Sequence, residues 1–275
     1  MGMIGALEQP LVTLAFCWRI ERRDGVTIGL TSHDRDLAIG GLTYRAAPGM
    51  TPSAIRSGIG LEGEDSDLAG ALSSDAISEA DLMAGRWDGA ALEVWLTQWG
   101  ALGEAPGDLW LSLARGEIGA VARKGAAFSA ELIGAAAVLG AAVAPSTSPD
   151  CRATLGDRAC RVDMAARRRV VSVSGVDGAV VAATGLTPGD YAFGTLRWLG
   201  GANVGLVQAV ADNGADAVTL ADPPAFAVAA GTLALLTEGC DRQMATCAGR
   251  FGNGVNFRGE PYLPGMDLLT RYPGA

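Results

Sequence analysis

The chain has 275 residues, 49% hydrophobic and 19% charged, enough to fill the cores of two ordinary domains and too apolar for a disordered chain. Its formal net charge of −9 argues against a nucleic-acid partner, since binding phosphate backbones needs a basic face. No cationic and apolar leader opens it, and its most apolar stretch, ELIGAAAVLGAAVAP, is shorter than the roughly 20 residues of a bilayer span. A soluble, cytoplasmically made protein is expected, with its cysteines reduced.

The N-terminal half reads as strands with inserted helices. In LVTLAFCWRI, Val12, Leu14, Phe16, Trp18 and Ile20 alternate onto one face, and Asp24-Gly25 turns the chain into a returning strand with Val26, Ile28 and Leu30 inward. LAIGGLTYRA is a second hairpin around Gly40-Gly41. SSDAISEADLMAG predicts a helix capped by Ser73 or Ser74 and closed by Gly85 at its C′ position. GAALEVWLTQW, DLWLSLARG, EIGAVARKG and AAFSAEL follow as strands, and alanine-rich residues 130–143 predict a closing helix. APSTSPD, residues 144–150, is a linker, which divides the chain into domains 1–145 and 146–275.

Past the linker come CRATLGDRAC and a strand block over about residues 169–238, with DNGAD as a hairpin turn. Arg167, Arg168 and Arg169 read as a solvated strand entry. Five or six short strands of this kind predict a small antiparallel barrel or sandwich. The overall expectation is a mainly β protein, with an N-terminal β-barrel or sandwich domain carrying inserted helices and a C-terminal small β-barrel.

Cys17 lies in the first strand and reads as an ordinary strand residue. The other four cysteines form two pairs, Cys151 with Cys160 and Cys240 with Cys247, on either side of the strand block. A barrel that begins after one pair and ends before the other brings both to one end. Thiolates gathered this way bind zinc or iron–sulfur clusters; from spacing alone, free core cysteines and disulfides stay open as well. Neither pair has the short spacing of structural zinc sites. If CDRQMATC is helical, Cys240 and Cys247 are about 10 Å apart along the axis, too far for a single zinc and easier for a larger cluster. Arg152, Arg158, Arg161, Arg242 and Arg250 sit beside the cysteines, either offsetting thiolate charge or simply on the surface.

Catalytic readings have little to stand on. His33, the only histidine, lies in the other domain from the paired cysteines. The acidic run EGEDSD, residues 62–67, reads as a solvated loop, and GRFGNGVNFRGEP lacks the lysine-serine ending and the context of a phosphate loop. Its glycines, asparagines and proline fit successive tight turns.

CRATLGDRAC and CAGRFGNGVNFRGEPYLPG, with GLTSHDRDL and ISEADLMAGRWDGAALEVWLTQW upstream, resemble the tail-tip hub protein family of tailed phages and gene transfer agents. The likeness spans nearly the whole chain. It implies a non-enzymatic structural protein of the virion tail tip, a homotrimer between the distal tail protein or tail tube and a larger, megatron-type baseplate protein. DNA would pass through without specific binding, and no part of the chain would enter a membrane. The C-terminal domain is similar to tail-tip proteins of lambdoid phages that hold an iron–sulfur cluster, which implies a [4Fe–4S] cluster, with zinc as second choice, on Cys151, Cys160, Cys240 and Cys247. The alternative is a redox or regulatory iron–sulfur enzyme, or a hub with zinc or disulfides in the cluster's place. Family members often carry a hydrophobic residue where this chain has Glu260.

Overall fold

The structure, a computed structural model, describes residues 5, 7–46, 51–52, 66–71, 78–101, 110–124, 127–134 and 144–262. The chain divides into two compact units, Met1–Val143 and Ala144–Ala275.

The described residues of unit 1 form nine strands: β1 (Leu14–Glu21), β2 (Thr27–Thr31), β3 (Leu37–Ile39), β4 (Leu42–Ala46), β5 (Thr51–Pro52), β6 (Ser66–Ala71), β7 (Ala91–Gln98), β8 (Trp110–Lys124) and β9 (Ala127–Gly134). They form one sheet in the order β3-β4-β2-β1-β7-β8-β9-β6-β5. Strand β1 lies inside it because both its faces are apolar. Trp18 and Ile20 join Leu30, Trp87, Leu92 and Val94 on one side, and Ala15 and Cys17 join Leu37, Ile39 and Tyr44 on the other. Both expected hairpins form, β1 against β2 and β3 against β4, and Gly40 and Gly41 take the positive φ that a two-residue turn requires. Strand β4 then returns parallel to β2, with Gly29 opposite Tyr44. A Cβ at Gly29 would lie 3.0 Å from the Tyr44 ring, so only glycine sits easily in that pairing.

Several expectations for this unit are corrected. Among the described residues the sheet is open: its edges are β3 and β5, three and two residues long, and they do not pair. Edges that short offer too few hydrogen bonds to close a barrel. The described helix is Glu79–Met83, capped by Ser78, whose hydroxyl accepts the Asp81 N–H at 3.1 Å; the expected caps Ser73 and Ser74 lie outside the described residues. Gly85, with φ +70°, follows its C-cap Ala84 as expected. DLWLSLARG and EIGAVARKG are one continuous strand, β8. Residues 130–134 belong to β9 and not to a helix; residues 135–143, like residues 62–65 of the acidic run, lie outside the described residues.

The described residues of unit 2 form seven strands: β10 (Arg168–Ser172), β11 (Gly175–Asp177), β12 (Val180–Ala182), β13 (Thr195–Trp198), β14 (Val207–Asn213), β15 (Ala217–Leu220) and β16 (Leu233–Thr237). All neighbours are antiparallel, in the order β10-β16-β13-β14-β15-β12-β11. DNGAD makes the expected turn, with the Gly214 N–H donating to Ala217. This sheet is open too, so the expected barrel is corrected here as well. Its edges β10 and β11 are separated by only Val173 and Ser174, whose N–H groups donate to Thr232 and Ala182 and not across the gap. The sheet folds over one core of Val173, Val181, Leu196, Trp198, Val210 and Leu236.

Candidate functional site

The four paired cysteines meet at the end of unit 2 where β16 leaves the sheet. Three segments converge there: residues 148–160, residues 239–250 with the helix Met244–Gly249, and residues 251–260 with a tight turn at Gly254–Asn256. The helix begins only at Met244, so Cys240 precedes it and Cys247 lies within it. The axial separation expected for a continuous CDRQMATC helix therefore does not apply.

Backbone hydrogen bonds stitch the segments together. The Cys151 N–H donates to the Arg242 carbonyl at 2.9 Å, Arg152 N–H to Arg258 at 3.1 Å, and Glu260 N–H to Ser148 at 2.8 Å. Residues 148–152 thus lie between the two downstream segments. Gly259 is required at this crossing, since a Cβ there would stand 2.6 Å from the Asp150 carbonyl oxygen. Asn253 is buried and donates to the Cys160 carbonyl at 2.7 Å, while its own N–H reaches the Cys247 carbonyl. Asp157 organises the turn into Cys160: Oδ1 accepts the N–H groups of Ala159 and Cys160, and Oδ2 that of Thr154. The Cys160 and Thr154 N–H groups hold its carboxyl below the usual range.

All four cysteines line one small cavity of about 20 Å³, together with Arg242 and Asn253. That is room for about one water. Cys151 Sγ accepts the Arg258 N–H at 3.3 Å, Cys240 Sγ accepts the Arg242 N–H at 3.4 Å, and the Asn253 amide lies 3.7 Å from Cys160 Sγ. Arg242 takes a positive φ of 62° to present that N–H. Burial pushes the Cys240 and Cys247 thiols up, and the neighbouring cysteines add to this, which favours neutral thiols over thiolates. Among the described residues no group of three or more His, Cys, Asp or Glu side chains is arranged to hold a metal ion. All five cysteines are free. The expected [4Fe–4S] cluster on Cys151, Cys160, Cys240 and Cys247 is corrected on this ground, as are zinc and disulfides in its place. The cysteines converge as the spacing implied, but they surround a water-sized space and receive N–H groups.

The arginines expected to face the cysteines divide. The Arg242 backbone does so, and that of Arg258, not among them, does as well. Arg250 turns away to Glu238 Oε2 (2.7 Å) and the Asp190 carbonyl (2.7 Å). Arg167 reaches the same Glu238 oxygen at 2.8 Å, and the guanidiniums of Arg167 and Arg250 lie 4.7 and 4.8 Å from the Phe251 ring centroid. Arg152 forms a two-pronged pair with Glu260. Sequence reasoning missed Glu260, Phe251, Asn253 and Asp157 as organising residues. Only Asp157 carried a local signal, a carboxylate two and three residues before N–H groups that a turn would orphan.

The remaining chemical candidates belong to unit 1. His33 Nδ1 lies 3.0 Å from Asp34 Oδ1 and accepts the Arg35 N–H, and its ring sits 4.7 Å from that of Trp99. Cys17 is fully buried, with its thiol 3.6 Å from the Thr31 hydroxyl. No described helix is long and apolar enough to cross a membrane.

Comparison with known proteins decides what this architecture belongs to. Residues 2–163, more than half of the chain, match the family described as baseplate hub protein, N-terminal attachment domain. The chain belongs to the baseplate hub, or tail-tip, family of tailed phages and gene transfer agents. Residues 189–267 of this hub protein also match a family described as phage conserved hypothetical protein BR0599. A chain in the solved structure titled "Virion of native gene transfer agent (GTA) particle" is 35% identical, with a TM-score of 0.84 over 99% of this chain and 95% of that one. No curated protein matches. The hub protein is a structural component of a phage-like virion and not an enzyme, which corrects the alternative of an iron–sulfur enzyme.

Proposed function

We propose that this hub protein forms a ring of three at the tail tip, between the tail tube or distal tail protein and a larger baseplate protein, and that DNA passes through the ring without specific binding. The observation that carries the reading is the end-to-end likeness to a chain of a gene transfer agent virion. The charge distribution supports the channel: of the 30 Asp and Glu, 18 lie in unit 1, against 10 of the 21 Lys and Arg, leaving 12 and 11 for unit 2. An acidic lumen repels a passing polyanion and keeps it from sticking. The cysteine junction then serves as a clasp, holding the start of unit 2 against its last described segment. An in-frame deletion tests the role. Particles without this chain should have tails that lack a baseplate and should fail to deliver DNA; complete tips and normal delivery would contradict it.

A further inference from the structure

The outward face of the sheet in unit 2 carries an apolar stripe. Val171, Leu236, Leu196 and Val210 point into the core, so the residues between them point out. Strand register sets Val170, Leu235, Arg197 and Val207 in one row across β10, β16, β13 and β14. In the next row the Leu199 N–H donates to the Leu233 carbonyl, and both side chains are exposed. Val170 is 54% and Val207 57% exposed. Large aliphatic side chains gathered on one sheet face mark a contact surface. Arg197 stands in the middle of the row, and among the described residues no carboxylate pairs with it. A purely apolar partner would strand that charge on docking, so the matching surface must bring an acid.

We propose that this face binds the acidic N-terminal unit of a second copy of this chain, with a carboxylate of that unit seated on Arg197. The proposal rests on the self-assembling ring above and names the surface that builds it. The acidic excess of unit 1 supplies the complementary charge. It also supplies apolar contact of the right kind, as at Met83, which is 76% exposed one turn from Glu79. A face-to-face dimer would set Arg168 and Arg197 of both copies against each other. Head-to-tail contact avoids this, and a head-to-tail interface whose rotation closes builds a ring.

Sedimentation velocity of the purified full chain over a concentration series tests it, with Arg197→Glu, Val207→Ser and, as an equal charge change outside the sheet, Arg158→Glu. The wild-type chain and Arg158→Glu should assemble alike and come apart as salt is raised. Arg197→Glu and Val207→Ser should keep the wild-type circular dichroism spectrum and weaken assembly, Arg197→Glu by at least about tenfold. A chain that stays monomeric, or whose assembly ignores both face substitutions, overturns the proposal. So does loss of binding to duplex DNA in Arg197→Glu with assembly intact. The hub role fails separately, through complete tail tips in particles lacking the chain.

Discussion

Arg152 and Glu260, 108 residues apart in sequence, meet as a two-pronged ion pair with N–O distances of 2.6 and 2.7 Å. Glu260 Oε2 also accepts the Ser148 N–H at 2.9 Å, and the Glu260 N–H returns to the Ser148 carbonyl. One side chain thereby ties the first residues of unit 2 to its last described segment. A hydrophobic residue at this position could not make that tie.

This pair gives unit 2 an acid dependence. The Arg152 guanidinium, with the Ser148 N–H, holds the Glu260 carboxyl down at about 2, against 4.5 for an ordinary glutamate. The folded state therefore binds the proton more weakly than the unfolded state does. The stabilisation is complete above pH 4.5 and is lost as the pH falls from there towards 2. Melting temperatures of wild type and Glu260→Gln should differ at pH 7 and converge on acidification through that window. A constant difference across it would contradict the account.

Backbone crossing at the foot of β16 makes two glycines irreplaceable. A Cβ at Gly239 would lie 2.0 Å from the Ala192 carbonyl oxygen, and one at Gly194 would lie 2.1 Å from that of Thr237. Backbone cannot move aside as a flexible side chain can. Gly239→Ala and Gly194→Ala should each destabilise unit 2 by on the order of 3 kcal/mol in urea denaturation. Gly249→Ala, in open space within a helix, should be neutral or stabilising by up to about 1 kcal/mol.

The guanidiniums of Arg167 and Arg250, which share Glu238, both lie over the Phe251 ring. Phe251→Leu keeps the apolar bulk and removes the ring. It should cost about 1–2 kcal/mol, the worth of two partly buried cation–π contacts, read as a shift in denaturation midpoint without a change in slope.

The thiols should react in an order set by burial. Cys17, Cys160 and Cys247 are buried, and burial pushes up the half-buried Cys240. Alkylation of the native protein at pH 8 should therefore reach Cys151 first and the buried three only on unfolding. Denatured protein should titrate five free thiols; fewer would show that cysteines are paired.

Local features of the fold were legible where one short stretch decides them. Asp24-Gly25 and Gly40-Gly41 announce their hairpins, and Gly85 closes its helix. The convergence of Cys151, Cys160, Cys240 and Cys247 followed from their flanking the strand block. Relations between distant residues were hidden. Nothing near Gly29 or Tyr44 signals that β2 and β4 run parallel, and strand alternation is the same in an open sheet as in a closed barrel. Residues 130–134 open the alanine-rich run 130–143 that suits a helix, yet pairing with β8 makes them strand. Cysteine count and spacing suggested metal chemistry, whereas its correction rests on how the side chains are arranged in space, which no short stretch of sequence encodes.

The central claim is that this chain is the structural hub of a tail tip. An electron cryomicroscopy map of the intact particle tests it most directly. The account predicts density at the distal end of the tail into which both units of this chain fit, repeated around the channel. A tip built without this chain, or its density found elsewhere in the particle, would contradict it.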